Sequence, residues 1–132
     1  ALCRERLTIL DPAFSTLVRD LRERGLLERT VVLCTGEFGR TPAINAVGGR
    51  DHWPNGFSLA LAGGGIRGGQ VIGETDPDGK QKPVKPVTVG DLHATILTAV
   101  GIDPKQVCQT PIGRTVRFAE GDPVAALLEQ KG

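Results

Sequence analysis

Apolar positions along the chain fall into three helical and three strand-like patterns, with a long polar stretch between the first two strands. Phe14, Leu17, Val18 and Leu21 recur at i, i+3, i+4 and i+7. With Asp11 as N-cap and Pro12 at the first helical position, that spacing predicts an amphipathic helix beginning there. Gly25 supplies its stop, and Arg22 and Arg24 sit near the negative end of its dipole. TVVLCT, residues 30–35, is continuous, β-branched and bounded by polar residues, which predicts a short buried strand. FSLALAG, 57–63, predicts a second strand, and the residues around Val71 and Ile72 a short third.

TDPDGKQKPVKP reads as turn and extended linker. VTVGDLHATILTAVGID predicts a second helix from about Asp91, with Leu92, Ile96, Leu97 and Val100 on one face and Gly101 at its end. DPVAALLEQKG predicts a short third helix capped by Asp122, with Pro123 inside it. Helices alternating with buried strands indicate an α/β layer structure with at least some parallel pairing.

Composition narrows the partners. The chain has 132 residues, enough for a single domain over 1–132 and too few for two. Sixteen basic against fifteen acidic residues leave a formal charge of +1, so no basic face advertises nucleic acid or anionic lipid. No apolar run approaches the ~18 residues of a membrane span. Cys3, Cys34 and Cys108 are far apart and odd in number, which points to ordinary thiols and away from a disulfide framework or a thiolate zinc site. The opening ALCRERLTIL carries neither methionine nor a basic-then-apolar leader, so a piece of a longer reading frame is expected.

Candidate chemistry concentrates between the two apolar strands. GEFGR follows VVLCT, the position outside a strand's carboxyl end where α/β sheets hold ligands. Glu37 there is a candidate metal ligand or base, and Arg40 a candidate bidentate oxyanion holder. The competing reading is that the two pair with each other in a surface turn. Asp51 and His52, adjacent in GGRDHWPN, are candidate metal ligands, with His52 alternatively a proton carrier and the pair alternatively a hydrogen-bonded loop anchor beside Trp53. His93 is a weaker candidate because it lies inside the second helix. GGGIRG, 63–68, satisfies GxGxxG after a strand, but no helix opens within it, so a tight glycine turn with positive φ is expected. No nucleophile elbow or triad spacing is present.

TGEFGRTPAIN, GGRDHWPNGFSLALAGGGIRGGQVIGETD, VTVGDLHATILTAVGID and GRTV, in that order, resemble the C-terminal part of the domain-of-unknown-function family 1501, from the first helix to Leu128. That family is sulfatase-like and grouped by similarity with the alkaline phosphatase superfamily. The resemblance implies the C-terminal part of a three-layer α/β/α fold, a fragment of a larger domain. It also implies a parent that hydrolyses phosphate or sulfate esters with one or two divalent metals, zinc, manganese, calcium or magnesium.

By this resemblance Glu37 stands where the superfamily has a ligand Asp, and His52 where it has a later ligand His. Asp51 is a supporting ligand and Arg40 an oxyanion holder. Phe38 departs from the pattern: it occupies the place of a ligand His and has no lone pair to offer, and the nucleophile lies upstream of the aligned region. The fragment alone is therefore expected to be inert. The alternative implied by Phe38 is a non-catalytic binding domain that keeps the scaffold. Expected partners are a small ester and either the missing N-terminal part of the parent or a second copy, with no nucleic acid and no membrane. Members of the family are often exported.

Overall fold

The computed structural model describes residues 2–79 and 83–129. In chain order the elements are α1 (Leu2–Glu23), β1 (Val31–Thr35), β2 (Gly39–Arg40), β3 (His52–Trp53), β4 (Leu59–Gly63), α2 (Val89–Ala99), β5 (Val107–Gln109) and β6 (Thr115–Arg117). Single 3-10 turns lie at Leu27–Arg29 and Ala125–Leu127. Helices and small sheets are thus mixed, an α/β chain in the broad sense. The expected parallel pairing is not observed among the described residues: β1 with β4, β2 with β3 and β5 with β6 are each antiparallel pairs. The reason is connectivity. No helix intervenes between β1 and β4, so the chain returns to pair with β1 directly, without the crossover that parallel neighbours need.

α1 does not start at Asp11. It runs from Leu2 with Pro12 in its interior, because Leu7 and Leu10 extend the Phe14–Val18–Leu21 stripe upstream through good helix formers. Its end follows the glycine prediction. Gly25 has φ +67°, its N–H donates to the Arg22 carbonyl, and the Leu26 N–H reaches back to Leu21, the paired bonds of a Schellman stop. α2 closes the same way at Gly101, with the Gly101 N–H on Thr98 and the Ile102 N–H on Leu97. Its start is a capping box: the Thr88 hydroxyl accepts from the Asp91 N–H, and the Asp91 carboxylate accepts from the Thr88 N–H at 2.9 Å.

Two further predicted elements are absent. Val71 is 94% exposed and no strand forms around it and Ile72; the segment contributes only an isolated bridge between Glu74 and Val84. Flanking glycines, Gly69 and Gly73 both at positive φ, turn the chain away before a ladder can form. The predicted helix after Asp122 is reduced to the 3-10 turn at Ala125–Leu127, and its last residues, 130–132, lie outside those described. So does the 80–82 portion of the predicted linker. Conversely, the β5–β6 hairpin was not predicted: each strand has three residues, below the length at which alternation is readable.

The core lies on one face of α2. Leu92, Ala94 and Thr95 are buried there with Ile66 from the glycine-rich segment and Ala119 beyond β6. The fully buried Thr95 hydroxyl is satisfied on both sides, donating to the Asp91 carbonyl at 2.6 Å and accepting from the Val124 N–H at 2.9 Å. By contrast α1 leaves Leu7, Ile9, Leu10 and Leu17 exposed. No helix among the described residues is long and apolar enough to cross a membrane.

Candidate functional site

Thr35 and Leu59 are register partners in the β1–β4 pair, so the polar excursion 36–58 leaves and re-enters the sheet at one end. That geometry brings its two halves together. β2 and β3 form a short antiparallel ribbon in which Gly39 faces Trp53 and Arg40 faces His52. Gly39 is required by space, since a Cβ there would overlap the Gly56 carbonyl oxygen. Cross-strand partners project to the same face of a ribbon, which places Arg40 and His52 side by side. Phe38 joins them: its ring stacks on the His52 imidazole with centroids 3.7 Å apart and planes at 28°, and the Arg40 guanidinium lies 5.3 Å from the Phe38 centroid.

The loop between the strands is fixed by polar contacts. Asn45 is its hub: Oδ1 accepts from the N–H groups of Val47 and Gly49, and Nδ2 donates to the Asp51 carboxylate at 2.8 Å. The Arg50 guanidinium donates to the Thr41 and Pro42 carbonyls. Thr41 and Asp51 exchange bonds, the Thr41 N–H donating to the Asp51 carbonyl and the Asp51 N–H to the Thr41 hydroxyl, each at 3.0 Å. Arg40 Nη1 donates to the Arg50 carbonyl at 3.1 Å, and the remaining guanidinium donors of this exposed side chain have no hydrogen-bond partner among the described residues.

The candidate residues are therefore only partly assembled. Arg40 and His52 share the ribbon, Asp51 adjoins it, and all three are exposed. Glu37 is also exposed and forms no hydrogen bond or ion pair with another described residue; it does not pair with Arg40, and Phe38 is the residue that meets His52. His93 is exposed on α2, outside the ribbon. Among the described residues no group of three or more His, Cys, Asp or Glu side chains is gathered closely enough to hold a metal ion. Glu37, Asp51 and His52 do not by themselves make such a group among the described residues. Asn45 and Arg50 organise the site and were not singled out from sequence. The readable signal was an Asn followed by Gly48-Gly49, the chemistry of a side-chain-closed turn.

The glycine run behaves as a turn. Gly63, Gly65 and Gly69 have positive φ, and no helix opens between them. A cavity of about 360 Å³ lies beside the run, lined also by Val18, Arg22, Glu28 and Glu129. With two carboxylates against one guanidinium in its lining, the cavity suits an anionic dinucleotide poorly.

The chain belongs to the family described as protein of unknown function (DUF1501), whose model matches residues 2–128. No curated protein and no solved structure gives a significant match.

Proposed function

We propose that the β2–β3 ribbon is the anion-recognition wall of a sulfatase-like ester hydrolase of the alkaline phosphatase class, to which this chain contributes a C-terminal portion. One observation carries the reading: Arg40 stands opposite His52, with Asp51 adjoining, on a ribbon that polar contacts hold rigid at the end of the β1–β4 pair. In this reading the free donors of Arg40 bind two oxygens of a phosphate or sulfate ester, and the His52 imidazole holds or moves a proton at the ester oxygen. Metal ligation by Glu37, Asp51 and His52 belongs to the same proposal and needs donors from outside the described residues. The three-layer fold and an exported location rest on the family resemblance alone.

Titrating the chain with inorganic phosphate or sulfate while following the His52 ring and Arg40 guanidinium resonances tests the wall. Saturable shifts that Arg40→Ala abolishes are expected; flat titrations would remove the anion role.

A second reading is favoured by the Phe38–His52 stack and the Asn45–Asp51 hydrogen bond, which engage two of the three candidate ligands in structural contacts. It makes the ribbon a non-catalytic binding element. Zinc or manganese titration separates the two: binding weakened by His52→Ala supports the hydrolase, and binding unchanged in that variant takes His52 out of the site.

A further inference from the structure

The turn that leaves the ribbon after β3 carries an inference independent of anion binding. The chain holds two asparagines, Asn45 and Asn55. Asn45 precedes Ala46, and its side chain is engaged at both ends, Oδ1 by the Val47 and Gly49 N–H groups and Nδ2 by the Asp51 carboxylate. Asn55 precedes Gly56 and is exposed in the turn that follows Trp53. Its side-chain amide forms no hydrogen bond with another described residue, and the Gly56 N–H has no acceptor among them.

These are the conditions under which a backbone nitrogen attacks the preceding side chain. A residue with a Cβ shields its own amide nitrogen, whereas glycine leaves it open and lets the backbone rotate into the conformation that attack needs. The Gly56 nitrogen, having lost its proton to hydroxide, attacks Asn55 Cγ. The N–Cγ bond forms, the Cγ–Nδ2 bond breaks, and ammonia leaves with a proton from water. Water then opens the cyclic imide. Addition at Cγ gives aspartate, while addition at the main-chain carbonyl carbon gives isoaspartate, in which the chain runs through Cβ and is one methylene longer. No oxidant, reductant or cofactor enters the sequence.

We propose that Asn55–Gly56 is a site of spontaneous, imide-forming deamidation, and that its isoaspartate product releases the β2–β3 ribbon. Gly56 is where the added methylene acts. Its carbonyl lies so close to Gly39 that a Cβ on Gly39 would overlap it, and a Cβ on Gly56 itself would meet the Pro83 ring at 3.0 Å. Held between Gly39 and Pro83, Gly56 has no room to absorb a longer chain, so the displacement falls on the pairing of Gly39 with Trp53 and, beside it, of Arg40 with His52. The Phe38–His52 stack, with centroids 3.7 Å apart, is the contact that records it.

Trypsin separates the two asparagines, Asn45 into residues 41–50 and Asn55 into 51–67, so mass spectrometry of the aged chain reads each conversion by itself. In the folded chain at mildly alkaline pH, Asn55 should become aspartate and isoaspartate at a rate within about tenfold of that in urea, because an exposed turn opens at little cost. Asn45 should convert only in urea, and more slowly. Asn55→Gln, whose imide would need a six-membered ring, should abolish the change in 51–67. Conversion of Asn55 confined to the unfolded chain would overturn the site, as would conversion of Asn45 in the folded chain at the same rate. The His52 ring protons, shielded by the Phe38 ring, should move to unstacked positions in the isolated isoaspartate form. They should stay in Asn55→Asp, which adds the charge without the longer chain. Leu92 methyl signals should be unchanged in both; their loss in the isoaspartate form would make the damage global and overturn a local release. Unmoved His52 signals in that form would also overturn the release, and the same movement in Asn55→Asp would assign it to charge and overturn the main-chain argument.

Discussion

α1 and α2 carry comparable sequence signals and meet opposite fates. Both have an apolar stripe at helical spacing, and both end at a glycine with positive φ in a Schellman stop. Yet α2 buries Leu92, Ala94 and Thr95 and is tied by Asp91 and Thr95 to the segment around Asp122 and Val124, whereas α1 leaves Leu7, Leu10 and Leu17 exposed and tolerates a proline in its interior. Periodicity thus specifies a helix and its apolar face, while burial depends on what the rest of the chain brings to that face.

Stability should fall most steeply on substitution in the glycine run that passes between Thr30 and the end of α2. Gly63 to Gly65 pass so close to neighbouring backbone that a Cβ at Gly63 would overlap the Thr30 carbonyl oxygen, and one at Gly65 would crowd the Ala99 carbonyl at 2.6 Å. Gly63 also has φ +100°. Gly63→Ala should therefore destabilise by roughly 3 kcal/mol or more, or prevent folding, because strain and steric overlap add. Gly68→Ala is its control: nothing lies within 4 Å of a Cβ there. Thermal melts that give the two variants the same midpoint would refute this crowding.

How much of this was legible follows from the same residues. VVLCT, FSLALAG and the second helix were readable to within two or three residues, because each combines a run of apolar positions with a clear stop. The start of α1 was misread because Asp11-Pro12 has the chemistry of a helix start, while Leu7 and Leu10 extend the stripe past it at a local cost of about 3 kcal/mol for an interior proline. Strand direction was not legible, since apolar runs do not encode their partners. At the site, the residue types of Arg40, Asp51 and His52 were readable and their ribbon was not. Two-residue strands leave no period, and the Asn45 contacts that fix the loop depend on its folded shape.

The next effect compares the helices directly. Leu92 is buried, and Leu92→Ala should cost about 2–5 kcal/mol in denaturant unfolding. A cost near zero would mean that the α2 face is not the core.

A smaller effect concerns the α2 cap. Thr88→Ala should cost about 1 kcal/mol. The Asp91 carboxyl is held below its ordinary value, first by the Thr88 hydroxyl, then by the N–H groups of Thr88 and Asp122. A carboxyl with a depressed folded pKa stabilises fully above its unfolded value, about 3.9, and loses that contribution as pH falls from there through the folded value. Melting midpoints should therefore lack an Asp91 contribution to their slope at neutral pH and fall below about pH 4. Asp91→Asn should remove that part of the acid dependence; an unchanged acid slope would detach the cap from stability.

The smallest effect completes the comparison. Leu10 has the same side chain as Leu92 and lies on a helical stripe, but it is 48% exposed. Its truncation to alanine removes little buried area, and alanine is at least as good a helix former, so the two terms nearly cancel and the change in unfolding free energy should stay within about 0.5 kcal/mol. A loss as large as that of Leu92→Ala would mean that the α1 stripe is covered in solution, and α1 and α2 would then differ only in what covers their apolar faces.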